Sequence, residues 1–353
     1  MRWGALCIAL AGCLSKPTPL PPGSGDGAKP IIGRTWAQRM DANPPPQPPP
    51  AMLNPKLVYD ATRGHVVMYG GDDAITTTYF PGMWELDETG WETICNPCGP
   101  LELVGQGMAY DRKRGVIVMY GGYNESAAVA SVWEFDSQWH QRSDGPTTLQ
   151  NLQMVYDEST STVLAFGGFT DDNDTQASNA MYGYDGTSWT PLSSHASVAD
   201  SNTVAAYDGR NGLVYSTDDV GDGAVFTNGI DAFDGTSWSP VCGGPCSTDP
   251  RNDSAMVYDR GLGTILWIGG YSQMDGRIGH VASLDANGSE FDVMPPDPAL
   301  PGREGWGVAY DEGRDVVVLY GGRTDAGPSC GGTCDEYTCI CAETWEGAPV
   351  YGD

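Results

Sequence analysis

Two acidic loops are the first places where this sequence could do chemistry. TDDNDT holds Asp171, Asp172 and Asp174, and STDDVGDG holds Asp218, Asp219 and Asp222. Carboxylates this close together in Gly-rich loops could ligate Ca²⁺, a hard cation that takes roughly six to eight oxygens. Neither loop has EF-hand spacing, and Mg²⁺ demands stricter geometry still. Solvated loop acids are the plainer reading, and no cofactor is expected beyond a weak case for Ca²⁺. Cysteine is the second resource. Beyond Cys7 and Cys13, eight cysteines fall in three clusters: Cys95 and Cys98 in CNPC, Cys242 and Cys246 in CGGPC, then Cys330, Cys334, Cys339 and Cys341. The last cluster could supply four thiolates to zinc, and CNPC has the short spacing of a metal ribbon or a redox pair. In an exported chain an even set of cysteines reads first as disulfides.

Charge narrows the partners. The 353 residues carry 46 acids against 18 Lys plus Arg, a formal net charge of −28. A field of that sign repels phosphate backbones and anionic lipid surfaces, so nucleic acid is not expected as a partner. Hydrophobic residues at 40% suffice for a large core, while Gly 48 and Pro 26 mark a chain with many turns.

The chain begins MRWGALCIALAGCLSKP. Arg2 gives a short positive region, and Trp3 to Leu10 form an apolar stretch too short to span a bilayer. Leu10-Ala11-Gly12-Cys13 resembles the bacterial lipobox, which implies cleavage before Cys13 and lipidation of its thiol. An ordinary signal peptide is the alternative. Residues 1–12 read as the signal and 13–34 as a Pro/Gly tether. The expectation is an exported monomer of the cell envelope or outer surface, touching membrane only through its lipid, since stable anchoring takes more than one acyl chain.

The elements that must position these residues repeat. Tyr-Asp occurs at 59–60, 110–111, 156–157, 207–208, 258–259 and 310–311, with Tyr separations of 51, 46, 51, 51 and 52. Gly-Gly follows at 70–71, 121–122, 167–168, 269–270 and 321–322, whereas the fourth copy has Asp218-Asp219 there. Before each Gly pair runs a β-rich string such as VIVMY or VVVLY, without alternation, which suits strands buried on both faces. A third strand follows (MWELD, VWEFD, MYGYD, IDAFD, VASLD), then a tight turn and a fourth opening on Trp91, Trp139, Trp189, Trp238 or Phe291. Four short antiparallel strands per copy are the signature of a propeller blade, and six copies packed round an axis bury what one sheet cannot. The sixth copy ends without its fourth strand. Thr35-Trp36-Ala37-Gln38-Arg39-Met40 reads like the other fourth strands, so residues 35–40 are expected to complete the last blade and close the ring.

These residues resemble the kelch repeat over 35–347, and the fold class expected is an all-β, six-bladed kelch-like β-propeller with a tail at 348–353. Blade repeats begin near 55, 106, 152, 203, 254 and 306. Copies four and five depart from the pattern, with Asp231 and Ala282 where copies one and two have Trp84 and Trp133, and those blades are expected to be less regular. The Gly pairs read as structural, allowing positive φ or close backbone approach. The resemblance implies a binding surface on the loops between strands two and three rather than a reaction. The candidate binding residues there are Asp72, Asp73, Tyr123, Asn124, Phe169, Asp171, Asp172, Asp218, Asp219, Tyr271 and Arg323. Tyr123, Phe169 and Tyr271 follow Gly-Gly directly and suit stacking on sugars or anchoring of a peptide, or else cover blade ends. Catalytic residues are not identified. The four histidines, His65, His140, His195 and His280, occupy different phases of the repeat. The copper site of galactose oxidase, a kelch-like propeller, has no matching positions here. The leading expectation is a non-catalytic module binding protein or glycan at the rim. A carbohydrate-active enzyme (epimerase, lyase or oxidase) at the channel mouth is the alternative, and a structural spacer is a third reading.

Overall fold

The computed structural model describes residues 29–41, 47–100, 103–124, 126–173, 175–194, 203–217, 229–242, 250–272, 274–284, 291–293 (backbone), 300–326 and 330–352. These residues form no helix, and their strands build six antiparallel sheets arranged as a six-bladed β-propeller. Blade one runs through Lys56–Asp60, His65–Tyr69, Met83–Leu86 and Trp91–Cys95, and the next four blades repeat the meander. Strand one of each blade touches strand one of both neighbours, including the first blade against the sixth, so the ring is closed.

The last blade is finished by the N-terminal segment. Ile31–Arg39 pairs antiparallel with Thr344–Tyr351, with Trp36 opposite Gly347 and Arg39 opposite Thr344. This strand begins before the expected start at 35 and excludes Met40, which is exposed. Its partner likewise continues to Tyr351, past the expected boundary at 347. Arg34 fastens the closure. Its Nε and Nη2 both donate to the Asp259 carboxylate of blade five at 2.6 Å, and Nη2 also reaches Asp315 at 2.8 Å.

Each part of the repeat has a packing role. The Asp of every Tyr-Asp pair is buried and accepts backbone N–H groups of its own turn: Asp60 from Thr62 and Arg63, Asp111 from Lys113 and Arg114, Asp208 from Arg210 and Asn211. Such carboxylate caps satisfy turn donors that no ladder reaches. The Tyr hydroxyl instead crosses to the preceding blade. Tyr110 accepts from Thr62 N–H at 3.0 Å, Tyr156 from Lys113 at 3.2 Å and Tyr207 from Ser159 at 3.1 Å. The Gly pairs all have positive φ, and the second glycine docks on the next blade: Gly122 N–H donates to Leu149 O, Gly270 to Arg303 O and Gly322 to Met52 O. Strand-four tryptophans fill the same seams, with Trp139 edge-on to Tyr69 and Trp238 edge-on to Phe166. The hydrophobic core is accordingly six inter-blade clusters rather than one centre. Blade four keeps four strands despite lacking Gly-Gly, and blade five keeps four with Ala282 buried in the third.

Disulfides join Cys95 to Cys98, Cys330 to Cys341 and Cys334 to Cys339. Cys242 is also disulfide-bonded, while Cys246 lies outside the described residues. The last four cysteines form two nested bridges, which removes them as thiolate ligands.

Candidate functional site at the channel mouth

Strand one of each blade lines an axial channel, and the repeat puts equivalent residues at equal depth. At the upper rim, where strands two give way to loops, Asn54, Gly105, Asn151, Asp253 and Gly305 all take positive φ, between 47° and 68°. Only Gly, or an Asn or Asp with its short polar side chain, adopts that conformation readily. Below them stand Lys56 and Gln153. A belt of Leu57, Met108, Met154, Ala205, Met256 and Val308 then separates an upper chamber of about 160 Å³ from a lower one of about 240 Å³.

The lower mouth is spanned by a charge quartet drawn from the residue after four of the six Tyr-Asp pairs. Arg112 Nε lies 3.1 Å from Glu158, and Arg260 Nε lies 3.0 Å from Glu312. Arg112 also pairs with Glu312, and Arg260 with Glu158. Blades one and four offer Ala61 and Gly209 at this position, and a Cβ on Gly209 would stand 3.6 Å from both Arg260 and Glu158. Small residues in two blades thus leave room for long side chains from the other four. Arg, Glu and Tyr do converge in the channel here, but the charges satisfy one another.

The upper mouth is different. It opens as a cavity of about 490 Å³ lined by Asn54, Lys56, Asp72, Tyr79, Val104, Gly105, Tyr123, Gln150, Asn151, Gln153, Asp172 and Asp253. Three residues singled out by sequence, Asp72, Tyr123 and Asp172, meet in it. Asp72 pairs its backbone with Leu53, and its Oδ1 is buried without a hydrogen-bond partner among the described residues. Burial, reinforced by neighbouring Asp73, pushes its carboxyl up to about 6, partly offset by Arg323. Asp172 accepts the Ala128 N–H at 2.7 Å and so ties blade three's loop to blade two's. Lys56 is half-buried by exposed surface yet surrounded by channel wall, and desolvation pushes its amine down to about 8.

The other candidates hold the loops in shape. Asp73 is buried and caps Ile75 and Thr76, and Asn124 caps Ser126 and Ala127. Asp171 accepts from Thr175 and Gln176, which holds its carboxyl below the usual range. Phe169 is buried and bridges to Gln150. Tyr271 lies under the Arg277 guanidinium, 5.8 Å from its ring centre, and Arg323 pairs with Glu304 at 2.6 Å. Asp218 and Asp219 lie outside the described residues. Among the described residues no group of three or more His, Cys, Asp or Glu is placed to hold a metal ion. Lys56, Gln150, Gln153 and Asp253 were not expected, because nothing in their local sequence distinguishes them from other residues in or just before strand one.

No protein-family model matches this chain, and no curated protein is detectably similar to it in sequence.

Proposed function

We propose that this protein is a kelch-like, lipid-anchored propeller of the cell envelope that binds a saccharide at the upper channel mouth without transforming it. The observation that carries the reading is the lining of that cavity. Carboxamides from Asn54, Gln150, Asn151 and Gln153, carboxylates from Asp72, Asp172 and Asp253, and the rings of Tyr79 and Tyr123 converge on one space. Amides and carboxylates offer the mixed donors and acceptors that hydroxyl groups need, and aromatic faces pack on sugar C–H surfaces. A glycan array probed with the purified full chain tests it, with Tyr123→Ala as the site control. A specific hit that Tyr123→Ala weakens at least tenfold supports the reading. A blank array, or a hit indifferent to the variant, defeats it and turns attention to a peptide ligand. Anchoring has its own test: metabolic labelling with an acyl analogue, lost on Cys13→Ser.

A second reading, a sugar-modifying enzyme at the same mouth, draws on one observation. Asp72 is pushed up to about 6 and Lys56 down to about 8 in a single cavity, a separation that suits acid–base work near neutrality. Turnover of any array hit, abolished by Asp72→Asn, would establish it.

A further inference from the structure

We infer that the upper mouth takes an acidic sugar, one carboxylate per ligand, whose charge is matched by the ammonium of Lys56. The inference rests on the saccharide reading above and narrows its ligand class. Lys56 occupies a position of its own in this molecule. It lines both the open mouth and the chamber beneath it, together with Asn54, Gln153 and Asp253. The arginines of the lower mouth each have carboxylate partners. The Lys56 amine, by contrast, has no hydrogen bond or ion pair among the described residues, and burial alone shifts it, with no contribution from a neighbouring carboxylate. An enclosed cation without a counter-ion costs free energy that the folded chain does not recover, and a bound anion removes that cost.

The rest of the lining selects among anions. The titratable groups sharing the two chambers with Lys56 are Asp72, Tyr79, Tyr123, Asp172 and Asp253. Three acids at the rim of a chain with net charge −28 repel a polyanion, yet accept hydrogen bonds from hydroxyl groups. A ligand that carries one carboxylate at one end and hydroxyls elsewhere satisfies both halves of the site. A cavity of about 490 Å³ holds a sugar ring with room to spare. The carboxylate points down the channel to Lys56, and the ring remains at the level of the amides and Tyr123.

The test is calorimetric titration of the full chain with D-glucuronate and D-galacturonate against D-glucose and D-galactose, at pH 6.5 and 9.5. The wild type, Lys56→Met and Lys56→Gln are compared, and a thermal melt verifies that each is folded. At pH 6.5 an acidic sugar binds the wild type at least tenfold more tightly than its neutral counterpart. Both variants lose that preference, and so does the wild type at pH 9.5, where the amine is uncharged. Equal binding of acidic and neutral sugars overturns this inference and leaves the saccharide reading standing. So does a preference that survives Lys56→Met. Absence of binding by all four sugars, with neutral glycans still captured on the array, also overturns it. Absence on both overturns the saccharide reading itself.

Discussion

Replacing Arg34 by Ala should loosen the N-terminal strand that completes the last blade. The Arg34 and Asp259 side chains are both fully buried, and they meet through two bonds of 2.6 Å. Among the described residues, the Asp259 side chain keeps only the Leu262 N–H at 2.9 Å when the guanidinium is gone. Breaking a buried pair from one side strands the other charge and costs about 3–5 kcal/mol. For a propeller of this size the unfolding entropy turns that loss into a fall in Tm of roughly 4–7 °C. Arg34→Met with Asp259→Asn removes both charges while leaving an oxygen for the Leu262 N–H, and should recover part of the loss, because the stranded buried charge carries much of the cost. Arg34→Lys should fall between, since an ammonium cannot make the two-pronged contact. Scanning calorimetry with near-ultraviolet circular dichroism reads the series. A Tm for Arg34→Ala within 1 °C of wild type, or a double variant no better than the single, would refute the view that this contact holds the closing strand.

Three further outcomes follow from the geometry. The Asp72 carboxyl is raised in the fold to about 6 from 3.8, so its ionisation opposes folding: stability is lost as pH rises from about 4 to 6. Asp72→Asn should therefore raise Tm at pH 7 and have little effect at pH 3.5, as thermal melts across pH would show. Glu158→Gln with Glu312→Gln leaves Arg112 and Arg260 unpaired at the lower mouth. These side chains keep roughly a third of their exposure, so screening limits the loss to about 1 kcal/mol, and urea melts should show it shrinking with added salt. Mass mapping of the non-reduced protein should recover Cys330 linked to Cys341 and Cys334 to Cys339, and removing the outer bridge should cost about 2–3 kcal/mol. Recovery of Cys330 linked to Cys334 would contradict the nested arrangement.

The fold was legible because nearly every blade repeats its punctuation. Tyr-Asp, Gly-Gly and the strand-four Trp recur at one phase, and each proves to serve the seam between blades or the turn within one. Even the ring closure showed, since Trp36 sits in a segment that reads like the other fourth strands. The mouth was legible only in part. Asp72, Tyr123 and Asp172 stood out because they follow Gly-Gly in loops. Lys56 did not, because its repeat equivalents are Gly107, Gln153, Val204, Ala255 and Gly307, and no local pattern says that these six face one axis. The charge quartet was hidden for the same reason. Arg112 and Glu312 are 200 residues apart, and their meeting follows from ring order rather than from sequence neighbourhood. Asp73, Asn124 and Asp171 are the converse case: acids and amides in a loop invite a ligand, yet their oxygens are taken by the loop's own N–H groups.

The most direct test of where ligand binds is hydrogen–deuterium exchange on the full chain with and without a saturating array hit. Protection should be confined to the upper mouth, in peptides containing Lys56, Asp72, Tyr123 and Gln150 to Gln153. The strand one-to-two turns around Arg112 and Arg260 should be unchanged. Protection at those turns, or on the outer strands alone, would contradict binding at the upper mouth.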